Sequence, residues 1–254
     1  MAVPVEHGGW GMLGEPVVLG LLVAPSLAGG AMGLAALGAF LARHPLKLAL
    51  GDLRRRVSYP RTVVAWQFAA AYTALASASI VVAAATAPVA AWIPVALAAP
   101  LAIAQLAYDV RHQGRRLAPE VIGGVALASA AAAITVAGGW PLTKALVLWT
   151  LLGAKAVTSV LFVRTRFRLD RGLGPRLAPP LLAHAAGLLL AGSLAAHAAA
   201  PRLAIVAFLL LLARAVRGLA PDRSALQPRQ LGFRELGYGI ATTVLLAVGY
   251  RLGL

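Results

Sequence analysis

Apolar runs, each about 20 residues long and poor in charge, follow one another from residue 10 to residue 252, and they leave this chain one class of fold. Inside a bilayer no water satisfies backbone N–H and C=O groups, so such runs cross as helices that pair those groups internally. They predict helices over 10–30, 32–50, 62–85, 88–108, 118–137, 141–163, 177–198, 202–220 and 233–252. The expected fold class is therefore all-α, a polytopic membrane protein with about nine transmembrane helices in a single domain over residues 1–254. A hydrophobic content of 60% and a mean hydropathy of +0.82 agree, and they exclude an ordinary soluble domain.

The net charge of +15 is distributed by connector. Nineteen of the 23 Lys and Arg residues follow the second, fourth and sixth predicted helices or lie between the end of the eighth and the start of the ninth. Lys144, Arg202 and Arg251 lie at the opposite ends, and Lys155 alone falls deep within a helix. The positive-inside rule then puts the N-terminus in the cytoplasm and the C-terminus outside. Anionic lipid headgroups suffice to attract these arginines, so no nucleic-acid partner is expected. Cysteine is absent, which removes disulfides, thiolate nucleophiles and thiolate metal ligands together.

Acids are scarce, eight in 254 residues. Glu6 opens the segment Glu6-His7-Gly8-Gly9-Trp10, and Glu120 and Glu235 stand in similar settings, 114 and 115 residues apart, each followed by glycines and an apolar run. A carboxylate at the mouth of a membrane helix is costly to desolvate, so the three are candidates for acid/base work on the cytoplasmic side. The alternative is that they sit at helix N-termini, where the dipole favours a negative charge.

Lys155 is the most informative base, because a charge well inside a span costs about 2.5–3.5 kcal/mol and must face a polar interior. Thr158 and Ser159 extend a polar stripe from it toward Arg164, Arg166 and Arg168, suited to a phosphate or carboxylate. The alternative is that Lys155 neutralises a carboxylate in the bundle, with Glu120 the candidate. The basic segment from Arg43 to Arg56, with Lys47 and one embedded acid, Asp52, has a counterpart in Arg164 to Arg171 around Asp170. Arg111 and Arg115 stand in the connector before Glu120. His184, within the seventh helix, is either a proton shuttle or a packed core histidine. No metal motif, glycine-rich phosphate loop or nucleophile elbow is present, and no metal or cofactor is expected.

Two resemblances follow. The opening Pro4-Val5-Glu6-His7-Gly8-Gly9-Trp10-Gly11-Met12-Leu13 resembles the start of the YwiC-like family of bacterial membrane proteins, whose members begin with a Glu-His-Gly-x-Trp segment. It implies a bacterial inner-membrane location and little about mechanism. The helix plan is similar to the UbiA superfamily of intramembrane prenyltransferases, including the connector from Tyr108 to Gly124. In that superfamily aspartate clusters hold magnesium and a prenyl diphosphate; here only Asp52 and Asp170 remain at the matching places, each among arginines. The resemblance implies a UbiA-like bundle with a cytoplasm-facing cavity for an isoprenoid- or lipid-shaped ligand, gripped without metal.

The expected function is thus a lipid- or isoprenoid-modifying protein that receives an anionic amphipathic ligand, such as a polyprenyl phosphate, a quinone precursor or a phospholipid. Lys155, Arg164 and Arg168 would bind the anionic group, with Lys47, Asp52, Arg111 and Arg115 nearby, while Glu6, His7, Glu120, His184 and Glu235 would handle protons. The alternatives are a proton-coupled transporter or lipid flippase, and a membrane assembly factor.

Overall fold

The structure, a computed structural model, describes residues 7–111, 113–114, 116–174 and 176–254. Among them it contains nine α-helices: α1 (His7–Val23), α2 (Leu27–Arg54), α3 (Pro60–Thr86), α4 (Ile93–Val110), α5 (Leu117–Ala137), α6 (Leu142–Asp170), α7 (Ala178–Ala196), α8 (Leu203–Leu219) and α9 (Pro228–Leu252). A 3-10 turn, Val89–Trp92, leads into α4. Among the described residues six candidate spans are long and apolar enough to cross a membrane: α3, the turn with α4, α5, α6, α7 and α9. The protein is a helical, multi-pass membrane protein.

One large departure from the expected boundaries is the break between α1 and α2; another is α6, which runs seven residues past its expected end, to Asp170. The run over 10–30 is interrupted at Pro25 and Ser26, and Gly29 and Gly30 belong to the second helix. Ser26 is the reason: its backbone is extended and its hydroxyl accepts a hydrogen bond from Gly29 N at 2.9 Å, a side-chain N-cap. Pro25 ahead of it restricts Ala24 and discourages continuation of α1. Four other starts use proline in the first turn, at Pro60, Pro94, Pro179 and Pro228.

Helix α5 is the centre of the packing and touches α1, α2, α4 and α6. Its alanine-rich middle is almost wholly buried, from Ala128 and Ser129 through Ala131 to Val136, since small side chains let helices approach on several sides. From α5 a ring closes through α6, α7, α8, α9 and α1, each packed on the next. The α2–α3 pair and α4 lie outside that ring, over α5. The α2–α3 contact is tightest at Gly38, where a Cβ would stand 2.9 Å from Ala76 N and 3.0 Å from Tyr72 O.

Cross-links mark two ends of the bundle. At the arginine-rich end Arg43 of α2 pairs with Asp109 of α4, and Thr62 of α3 donates to Asp52 of α2 at 2.6 Å. At the opposite end Arg251 donates to Leu22 O at 2.8 Å, and the Lys144 ammonium stands 4.0 Å over the Trp140 ring and 5.6 Å from that of Tyr250. Between that end and mid-bundle the ring is filled by an apolar cluster that includes Leu19, Leu148, Leu151, Phe208 and Leu246.

Candidate functional site

One face of α6 organises the interior. Lys155, Thr158, Phe162 and Arg166 recur at spacings of three and four residues, and all are buried. Lys155 points across the ring to α1, where its ammonium pairs with Glu15. Thr158 donates its hydroxyl back to Lys155 O at 2.8 Å, which leaves the lysine ammonium to the carboxylate.

A second pair lies beside the first. Arg214 of α8 donates to Glu235 of α9 at 2.7 Å, and its other terminal nitrogen lies 3.0 Å from His184 Nε2 on α7. His184 Nδ1 is 2.6 Å from Pro180 O. A carbonyl only accepts, so Nδ1 carries the proton and the lone pair on Nε2 receives the arginine: the histidine is neutral in this arrangement. Phe162 lies under the guanidinium, 4.4 Å from its central carbon, with the His184 ring edge-on to it. Arg214 Nε, also buried, has no hydrogen-bond partner, and neither has Thr243 Oγ1, two turns along α9 from Glu235.

Glu15, Lys155, Arg214 and Glu235 thus form a charge-balanced quartet drawn from four helices, with neutral His184 joined from a fifth. The cations lie deeper than the acids: side-chain exposure is 9% for Lys155 and 3% for Arg214, against 18% for each carboxylate. Gly239, one turn beyond Glu235, makes room for the other acid, because a Cβ there would stand 1.9 Å from Glu15 Oε1. The apolar cluster holding Leu19, Leu148 and Leu246 begins one to three turns along from these charges.

The N-terminal part of the chain carries the family signal. The family model described as YwiC-like protein matches residues 3–135, just over half of the chain. The chain belongs to the YwiC-like family. No curated protein and no solved structure matches it. The YwiC-like match contains Glu15 and Glu120 but ends within α5, so Lys155, His184, Arg214 and Glu235 lie beyond it.

In this YwiC-like protein the residues expected to act together are divided. Glu235, His184 and Lys155 belong to the quartet and its neighbour. Glu120 instead pairs with Arg164 at 2.8 Å, both about one-third exposed, so the partner of Lys155 is Glu15 rather than Glu120. Arg164 comes nine residues after Lys155, two and a half turns, and faces the other side of α6. Lys47, Arg111 and Arg168 are exposed. Asp52 is buried and accepts from Thr62, with Arg61 3.7 Å away. Glu6 and Arg115 lie outside the described residues, as does the side chain of His7.

Sequence reasoning missed Glu15 and Arg214 as members of the site. The signal for Glu15 was its position inside an apolar run, which makes it the natural counter-ion for a lysine buried in another. Arg166, expected in the polar stripe that runs from Lys155 toward an anionic ligand, is instead engaged by the protein itself, its side chain only 4% exposed. It donates to Asp170 at 2.9 Å, to Gly218 O at 2.6 Å and to Ser224 O, which fastens the last turn of α8 and the α8–α9 connector to α6. Arg223 Nε stands 3.6 Å from the other Asp170 oxygen. Among the described residues no three His, Asp or Glu side chains gather as a metal site would require.

Proposed function

We propose that this YwiC-like protein is a proton-coupled membrane carrier whose coupling site is the Glu15–Lys155 and Arg214–Glu235 quartet. One observation carries this reading: both buried ion pairs join different helices, so neither can be broken without a consequence for helix packing. Protonating either carboxylate leaves a cation unneutralised inside the bundle, at a cost of several kcal/mol, and rearrangement of the helices relieves it. Glu15 and Glu235 are the proton acceptors because their carboxylates are the more accessible members of each pair.

The expected lipid-modifying enzyme needs several bases converging on one headgroup. Lys155 and Arg164 are each paired and lie on opposite faces of α6, and Lys47, Arg111 and Arg168 are exposed, which favours coupling over headgroup chemistry. In this reading the arginine-rich end faces the cytoplasm of a bacterial inner membrane, and the apolar cluster at Leu19, Leu148 and Leu246 is the closed outer gate.

Infrared difference spectroscopy of the protein in lipid, with E15Q and E235Q as references, tests this directly. Acidification is expected to produce protonated-carboxyl bands that each substitution removes, together with changes in helix amide bands. Carboxylate bands of Glu15 and Glu235 that stay unchanged while the protein remains folded would reduce the quartet to a structural brace.

A further inference from the structure

We propose that Arg214 is the seat of an oxyanion, the carboxylate or phosphate group of a cargo molecule, which takes the place of Glu235 when Glu235 takes up a proton. This deepens the carrier reading and rests on it, adding the class of cargo and the sign of the coupling.

An arginine stays charged in a protein, so a guanidinium as buried as that of Arg214 always needs an anion. Glu235 supplies it in this structure. Once Glu235 is neutral, the acid that remains in the quartet is Glu15, and Glu15 is held by Lys155. The groups facing Glu235 are Arg214 from α8, Lys155 from α6 and Glu15 from α1, with Tyr238 on its own helix and His184 of α7 reached through Arg214. His184 is an acceptor toward Arg214 and brings no negative charge. No other acid among the described residues faces Arg214, so in this proposal the countercharge comes from outside the protein.

The geometry suits an oxyanion. Arg214 Nε is buried with no acceptor, while the terminal nitrogens are shared between Glu235 and His184. A guanidinium holds carboxylate and phosphate by two parallel N–H···O bonds, and the unused Nε–H is one prong of such a fork. The end of the bundle nearest Arg214 is electropositive. Arg217 and Arg234 are exposed at the same end and Arg223 is half-buried there, so they attract anions and repel cations. The step balances without redox chemistry: the Glu235 carboxylate gains one proton, the anion gains the guanidinium, and one proton enters with each negative charge.

The test uses the full-length protein in phosphatidylcholine nanodiscs, with acetate, inorganic phosphate and phosphatidylglycerol as probes. In weakly buffered solution with a pH indicator, a probe that binds is expected to draw in about one proton per site, as the balanced step requires. E235Q, neutral already, is expected to bind the same probe with no proton uptake. R214K keeps the charge but loses the fork and is expected to bind roughly tenfold or more weakly, whereas R214Q abolishes binding. Circular dichroism and gel filtration of each variant confirm folding. Response to acetate or phosphate identifies a soluble cargo; response to phosphatidylglycerol alone identifies a lipid headgroup; either supports the proposal. Binding without proton uptake in the wild type, equal affinity in R214K, or no probe bound by wild type and E235Q overturns it. If the Glu235 infrared band titrates in that last case, the carrier stands and only the cargo class falls.

Discussion

Glu15 on α1 and Lys155 on α6 stand 140 residues apart in the chain and form an ion pair near the middle of both helices. The pair is more than a local contact, because α1 and α6 are not successive in the ring: α5 lies between them, packed on both. Two charges on helices that do not adjoin meet across its interior, and the second pair, Arg214 with Glu235, links α8 to α9 in the same space.

Removing one member of the first pair strands its partner. E15Q and K155M are each expected to destabilise the protein by about 3–5 kcal/mol, whereas the E15Q/K155M double variant recovers most of that loss because no uncompensated charge remains. Thermal unfolding in a mild detergent measures all three. Additive losses would mean that the charges are satisfied separately.

Gly239 makes a sharper prediction about the same carboxylate. Alanine at an ordinary helical position gains about 1 kcal/mol over glycine. Here its Cβ would collide with Glu15 Oε1 at 1.9 Å, so G239A is expected to destabilise by about 1–3 kcal/mol, the usual cost of overpacking. In an E15A background the obstruction is gone and the same substitution should turn neutral or stabilising. A penalty of equal size in both backgrounds would place the clash elsewhere.

The helices were legible in the sequence because hydrophobic length alone decides them, and the family was legible in the segment around Glu6 to Leu13. Side-chain partnerships were less so. Lys155 was correctly read as facing a polar interior, yet its partner was sought at Glu120, at a helix mouth, where a surface arginine, Arg164, is nearer. Helical period would have separated Arg164 from Lys155 and joined Lys155 to Arg166, eleven residues on and three turns along the same face. What no spacing reveals is which distant helix closes the ring, and that packing decides Glu15.

Membrane orientation is open to a direct measurement because the native chain has no cysteine. L173C in the α6–α7 connector and A196C at the far end of α7 are both exposed positions. A membrane-impermeant maleimide added to right-side-out vesicles is expected to label A196C at once and L173C only after permeabilisation. The reverse pattern would invert the topology and place the arginines outside.

Arg166 holds the last turn of α8 through the carbonyl of Gly218 and the α8–α9 connector through that of Ser224, while Asp170 fixes its other edge. R166A is expected to speed amide hydrogen exchange across residues 220–227 without changing protection in the middle of α6, because connector backbone loses its anchor while the span keeps its own ladder. R166K, with a single ammonium, should fall between the two. Uniform loss of protection across α6 would show instead that Arg166 supports the whole helix.

His184 separates a structural acceptor from a proton carrier. Its Nδ1–H is committed to Pro180 O, and Nε2 accepts from Arg214, so the ring serves the guanidinium only while neutral. H184F removes the acceptor and leaves a buried Arg214 N–H unsatisfied, with an expected cost of about 1–3 kcal/mol. H184Q offers an amide oxygen at the reach of Nε2 and should recover part of it, whereas H184N, whose amide ends nearer the backbone, should not. Nitrogen NMR of labelled histidine checks the starting point, with the Nδ1–H tautomer expected in the resting protein. A doubly protonated ring there would require Arg214 to turn away, and the H184F and H184Q variants would then be equally stable.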